Sequence, residues 1–308
     1  MKTSIGSWAY TIGPYGDKPV DFDTVCTKLS NLGFDAVELG SFAPHPNPDD
    51  LPTKEERQAI VEKVKGYGLE FSGIAANLWG EQLINTDDTT KYIEEFEKNC
   101  EFSVDLGIKT VRVDTVQPPT IFESEGIDRD KAMAQVIDTW KKCADIAAKY
   151  DLKITWEGEP GFAFNKPSEI VKILEAMADV ENFGYLYDTC HAQTISVVGA
   201  RQEGEKETFD NQIEFLQMVG PYINHVHVID SDNTCHKDAD GNDETSAHPP
   251  FGEGLLDFEE LIPAIMKFHS YDNYWTVDLC FYDKAWEATE ICAEFMKNTK
   301  AKYAPASV

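Results

Sequence analysis

Along the whole chain, short apolar and β-branched runs alternate with longer stretches that repeat apolar residues at i, i+3 and i+4. The first pattern suits buried strands. The second suits helices with one face laid on a sheet. The strand candidates are Thr3–Trp8, Ala36–Leu39, Leu69–Ala75, Thr110–Asp114, Lys153–Glu157, Gly184–Asp188, Ile223–Ile229 and Tyr274–Leu279. They recur roughly every 30–45 residues, about the length of one βα unit. Helix signals fall between them. Asp23 is placed to cap the helix TVCTKLSNL, and Gly33 to stop it. Thr53 with Glu56, and Asp257 with Glu260, have capping-box spacing, and Pro167 suits a first helical turn.

Eight such units fill nearly all of the 308 residues and predict an α/β chain, a single (β/α)8 TIM barrel over residues 1–308. A doubly wound open sheet is the competing arrangement. Closure is favoured because polar residues gather at the C-terminal ends of the strands, where barrel active sites sit. Residues 230–256, rich in Gly, Pro, Asn and Asp, are the longest irregular segment and read as an active-site loop or a partner-binding insertion. The tail from Lys300 reads as loose.

Charge narrows the function. Lys and Arg total 27 and Asp and Glu 55, a formal net charge of −28. Nucleic acids and anionic membranes are bound chiefly by neutralising phosphate with Lys and Arg, so neither is expected as a partner. The seven cysteines are an odd number, widely spaced, and contain no C-x-x-C. They read as free thiols in a reducing compartment. With no apolar signal-peptide core in MKTSIGSWAY and no membrane-length apolar run, the expected setting is cytoplasmic.

The candidate chemistry lies at four successive strand ends. Strand 5, KITWEGEPG, ends in Glu157, with Glu159 beyond it. Strand 6, FGYLYDTCHA, ends in Asp188, with His191 three residues later. Strand 7, INHVHVID, carries His225 and His227 on one face, and Asp278 interrupts the apolar strand 8, YWTVDLCFY. An unpaired buried carboxylate is costly, so Asp278 calls for a cation or several donors. In a barrel Glu157, Asp188, His227 and Asp278 converge. Three carboxylates and one imidazole suit one divalent ion, Mn2+ before Mg2+ or Co2+, with Zn2+ also compatible. A solvated acidic rim is the bland alternative. Trp8 and Tyr10 end strand 1, and Asn77 and Trp79 end strand 3; aromatic faces there suit stacking on a sugar ring or a phenolic group, with core packing the commoner fate of a Trp. His45, in the proline-rich SFAPHPNPDD, and His248, in SAHPPFGEG, are further candidates for substrate contact or base. Arg112 and Asp114 read as a pair across the interior.

These motifs, in this order, resemble the xylose isomerase-like superfamily of (β/α)8 barrels, which includes ketose epimerases, inosose dehydratases and sugar-phosphate isomerase/epimerase homologues. LGFDAVELG resembles its strand 2, ITWEGEPG its strand-5 glutamate motif, and LYDTCHA its D-x-x-H motif. HVHVID resembles its H-x-H-x-x-D strand and FGEGLLDF its G-x-G-x-x-D-F turn. The resemblance implies Glu157, Asp188, His227 and Asp278 as metal ligands. It also implies Glu157 and Asp278 as acid and base and His191 as the histidine near the substrate's oxygens; His248, from the long loop, joins the catalytic set as a candidate base read from the chain itself. Trp8, His45, Asn77, Trp79, Glu159 and His225 are then the substrate-binding set. The implied reaction is isomerisation or epimerisation of a keto-sugar, by proton abstraction beside a carbonyl through a metal-stabilised enediolate. Many epimerases have Glu where this chain has Asp278, which puts a symmetrical two-glutamate mechanism in doubt. The alternative is a lyase by the same enolisation: a keto-polyol dehydratase, or an enzyme cleaving 3-oxo-C-glycosides together with a small β-rich subunit. A homo-oligomer is the default assembly.

Overall fold

A computed structural model describes residues 1–305. Eight parallel strands form one sheet: β1 (Lys2–Ile5), β2 (Ala36–Gly40), β3 (Glu70–Ala75), β4 (Thr110–Val113), β5 (Lys153–Glu157), β6 (Phe183–Asp188), β7 (Ile223–Val228) and β10 (Tyr274–Val277). Their order is β1-β10-β7-β6-β5-β4-β3-β2. A parallel bridge between Gly6 and Glu38 joins the two ends and closes the barrel. Two further strands, β8 (Cys235–Lys237) and β9 (Asp243–Ser246), form an antiparallel hairpin after β7. The segment read as irregular therefore holds a folded hairpin. Its short, polar strands gave no period-2 apolar signal.

The barrel strands are buried on both faces, as strands covered by helices must be. All five residues of AVELG in β2 are buried, and all but the first of FGYLYD in β6. Trp140, on the helix Arg129–Lys149, packs against Trp156 of β5 with ring centroids 5.2 Å apart, and Trp156 meets Tyr185 of β6 at 5.9 Å. Such contacts fix helices to sheet and hold the strand ends in register.

Most of the local helix signals are used by the fold. Thr53 and Glu56 form a reciprocal capping box, and Gly33 ends the first helix at φ 82°. Asp21, not Asp23, caps that helix, accepting from the backbone N–H of Asp23 and Thr24. Strand ends are shorter than expected. β1 stops at Ile5, and Ser7–Tyr10 forms a 3-10 turn. β10 stops at Val277, so Asp278 stands just beyond the strand rather than inside it. Lys300 to Lys302 form the last turn of the helix Ala285–Lys302, contrary to a loose tail from Lys300; residues 306–308 lie outside the described residues. Among the described residues no helix is long and apolar enough to cross a membrane.

One buried histidine makes the fold acid-sensitive. His269 Nε2 lies 2.9 Å from the Tyr274 carbonyl oxygen, and burial holds its pKa down at about 4 against that hydrogen bond. The unfolded imidazole titrates near 6.5. The unfolded chain therefore takes up the proton first. Stability contributed by neutral His269 is complete above about pH 6.5 and is lost as pH falls toward about 4, roughly 3 kcal/mol in all. In urea unfolding across pH 4–7, His269→Gln is expected to flatten the profile. A slope identical to that of the unsubstituted protein rejects the assignment.

Candidate metal centre and active-site cavity

Glu157 and Asp188 are the last residues of β5 and β6, His227 is one short of the end of β7, and Asp278 follows β10 directly. In the sheet register Asp188 is level with His227, and Glu157 is level with Leu186, two residues before Asp188 and so on the same face. The four side chains meet at the C-terminal mouth of the barrel. One ligand-capable atom from each lies within 4.8 Å of the others, and all four residues are buried.

Each of these four side chains is held in place through one of its polar atoms. Asp188 Oδ1 accepts from the backbone N–H of Cys190 and His191, at 2.8 and 2.7 Å. Asp278 Oδ1 accepts from Trp8 Nε1 at 2.8 Å and from the Cys280 N–H at 2.9 Å. Glu157 Oε2 forms an ion pair with Arg112, whose guanidinium also reaches Glu159 and Asp114. His227 Nε2 lies 3.0 Å from Glu38 Oε1 on β2.

The inward atoms have no such partners. Glu157 Oε1, Asp188 Oδ2 and His227 Nδ1 are buried without a hydrogen bond. His227 Nδ1 is 3.1 Å from Glu157 Oε1 and 3.7 Å from Asp278 Oδ2. A buried polar group without a partner costs about 1–3 kcal/mol. Three of them facing one point are accounted for if a cation lies between them. The residues thus fit a divalent ion, and three carboxylates with one imidazole suit a hard or borderline one.

Electrostatics agrees with this arrangement. Burial acts to raise Glu38, but His225 and His227 outweigh it and hold its carboxyl well below the usual range. Burial acts to lower His227, but Glu38 and Glu157 outweigh it and raise it well above the usual histidine value. A cation on Nδ1 therefore displaces a proton. Burial and neighbouring Glu157 push Glu159 up to about 8, against the pull of Arg112.

Above the four residues opens a cavity of about 950 Å³. Arg112, Glu157, Glu159 and His191 line it, together with Trp8, Ile12, Phe42, Trp79 and Phe281 from beyond the ends of β1, β2, β3 and β10. The β8–β9 hairpin makes a wall. Its His236 stacks on Phe281 at 4.1 Å, Thr245 Oγ1 donates to Glu159, and Ser246 Oγ lies 2.9 Å from His191 Nδ1. Asp230, which ends the H-x-H-x-x-D motif, accepts from the backbone N–H of Gly252, Gly254 and Leu256 at 2.9, 3.1 and 3.0 Å. A Cβ on Gly254 would stand 2.2 Å from Asp230 Oδ1, so that glycine is needed for the close approach. The histidine strand and the G-x-G turn are thus one structural unit.

Of the other expected contacts, Trp8, Trp79, Glu159 and His191 line the cavity, and Trp79 Nε1 donates to Asp114. Three do not. His45 turns away, its Nε2 2.9 Å from the Val20 carbonyl and its ring edge on Phe22. Asn77 is half-buried and outside the lining. His225 lies in the barrel interior, its Nε2 2.7 Å from Glu38 Oε2. His248 is buried beside the ligand set, its Nε2 3.9 Å from Asp188 Oδ1. Tyr10 is buried against Thr289. Sequence reasoning passed over Glu38, although a carboxylate in the apolar run AVELG is the same signal that marked Asp278. It gave no hint of Thr245 or Ser246.

Comparison with known proteins follows the same line. An inosose dehydratase of Lactiplantibacillus plantarum is 26% identical over 166 residues, 52% of this chain, and the match spans only 50% of that protein's length. The structure of a D-tagatose 3-epimerase-like protein superposes with a TM-score of 0.70 at 19% identity, covering 99% of this chain and 100% of the other. That of the IOLI protein, which carries a bound zinc atom, gives 0.71 at 19% identity, covering 98% and 99%. At these identities the structural matches show a shared fold. The sequence model described as a xylose isomerase-like TIM barrel matches residues 26–299, most of the chain, and the protein therefore belongs to the xylose isomerase-like TIM barrel family.

Proposed function

We propose that this protein is a divalent-metal-dependent lyase of the dehydratase kind, which removes the proton beside the carbonyl of a keto-sugar and expels a substituent one carbon further on. The carrying observation is the pairing of Glu159 with His191: His191 Nε2 lies 3.7 Å from Glu159 Oε2, and both line a cavity that Trp8, Phe42, Trp79 and Phe281 also line. One group to take a proton and a neighbour to deliver one suit elimination. The aromatic side chains suit a sugar ring held by its C–H surface. The inosose dehydratase likeness supports the same choice.

Glu157, Asp188, His227 and Asp278 would hold a divalent ion, Mn2+ in our reading with Mg2+, Co2+ and Zn2+ as competitors, and it would supply positive charge for the electron density that builds up when a C–H beside a carbonyl is deprotonated. The chain does the rest. Arg112 holds Glu157 and Glu159 in place, and Glu38 orients His227. Glu159 and His191, with His191 Nε2 3.7 Å from Glu159 Oε2, are the proton-transfer pair. Glu203, Asp238, Asp243 and Glu244 around the cavity make it a poor receptor for phosphate, so the substrate is taken to be an unphosphorylated sugar.

One atom favours a second reading as an isomerase or epimerase. Asp278 has only Oδ1 tied down, and Oδ2 faces the ligand set. Incubation of the Mn2+-loaded protein with keto-sugars and inososes in D2O separates the readings. We expect metal-dependent exchange beside the carbonyl and loss of water in the product NMR. Exchange with an inverted centre and no elimination selects the epimerase. Absence of exchange with every keto-sugar rejects both.

A further inference from the structure

His191 heads a chain that runs from its imidazole through two buried hydroxyls to a backbone carbonyl. Its Nδ1 lies 2.9 Å from Ser246 Oγ, Ser246 Oγ is in close contact with Thr194 Oγ1, and Thr194 Oγ1 is 2.6 Å from the Cys190 carbonyl oxygen. His191, Ser246 and Thr194 are all buried. Each hydroxyl has one proton to give. The chain ends on a carbonyl, which can only accept. The short contact from Thr194 to that carbonyl must therefore hold the Thr194 proton. Thr194 then has none left for Ser246, so Ser246 donates to Thr194. Ser246 in turn has none left for His191, so His191 Nδ1 must carry a hydrogen and donate it.

We infer that Ser246 and Thr194 are positioning residues that lock His191 in its Nδ1–H tautomer and present a bare Nε2 to the cavity. The order of donation is Nδ1–H of His191 to Ser246, Ser246 to Thr194, Thr194 to the Cys190 carbonyl. Nε2 has no hydrogen-bond partner among the described residues, and His191 lines the cavity. In this state His191 accepts: it takes a hydrogen bond from a substrate hydroxyl, or a proton from the reacting carbon. Glu159, beside it, is then left as the donor. The β8–β9 hairpin, which carries both Thr245 and Ser246, thereby sets the roles of the two groups. The tautomer rests on hydrogen-bond geometry alone; only its consequence for turnover rests on the proposed reaction.

The test is long-range 1H–15N NMR of the histidine-labelled, Mg2+-loaded protein at neutral pH, with His191 assigned by comparison with His191→Gln. The full-length protein is expected to show His191 with hydrogen on Nδ1 only. Thr194→Val keeps the shape of the side chain but frees the Ser246 proton, which can then be donated to Nδ1, so the hydrogen is expected to move to Nε2. Ser246→Ala is expected to give a mixture, and Ser246→Thr to restore the Nδ1–H form. Hydrogen on Nε2 in the unsubstituted protein, or an Nδ1–H form unchanged in both Thr194→Val and Ser246→Ala, overturns the inference. A substrate found in the exchange experiment adds a second readout. Its kcat is expected to fall roughly 10–100-fold in Thr194→Val and Ser246→Ala and to recover in Ser246→Thr. The tautomer result stands or falls without that substrate, so a failed reaction and a failed lock are told apart.

Discussion

His227→Ala is expected to purify with bound divalent metal at background level, against about one ion per chain in the unsubstituted protein, and to show no turnover. Loss of an outer partner of a metal-bound histidine weakens affinity roughly 10–100-fold, and loss of the ligand itself must exceed that. Glu38→Gln supplies the comparison. Glu38 touches no ligand-facing atom but accepts from His227 Nε2, His225 Nε2 and Thr276 Oγ1. It should weaken binding within the smaller range, because the amide can still hold the imidazole but brings no charge. Elemental analysis and a metal titration read both variants. Equal metal content in His227→Ala, Glu38→Gln and the unsubstituted protein would remove the metal centre from the account.

Glu159→Gln is expected to lower kcat by roughly 10²–10⁴-fold, the usual size of a lost general acid or base, while metal content stays at about one ion per chain. The reasoning is positional. Glu159 is two residues past Glu157 and meets a different nitrogen of Arg112, with Thr245 on one oxygen and the Arg112 Nη2 at 3.1 Å from the other. It meets His191 and does not belong to the four-residue ligand group. Glu157→Gln, by contrast, should lose metal and turnover together. If Glu159→Gln loses metal as Glu157→Gln does, Glu159 is a ligand and the proton-transfer pair must be sought elsewhere.

The convergence of Glu157, Asp188, His227 and Asp278 could be read from the chain because each is a polar residue at the end of an apolar run, and strand ends are visible in hydrophobic patterning. Barrel geometry then forces such residues to one mouth. His45 failed for a different reason. Its proline-rich loop gave rigidity but not direction, and the ring turned to the Val20 carbonyl. Glu38 was legible in principle but stands 189 residues from His227, and no local pattern connects them. Thr245 and Ser246 were beyond reach, since a threonine and a serine in a polar loop are common and gain meaning only when the hairpin folds over the cavity.

The sequence by itself determined eight βα units, the order of their strands along the chain and the four groups at their ends, and the gathering of polar residues at those ends favoured a closed barrel over an open sheet. The tertiary structure alone decided what those groups do to one another. It put Glu38 behind His227, spread Arg112 over Glu157, Glu159 and Asp114, and closed the β8–β9 hairpin over Glu159 and His191. Protonation, tautomer and ion pairing depend on distances of a few ångströms between residues far apart in the chain. Hydrophobic patterning carries no record of those distances.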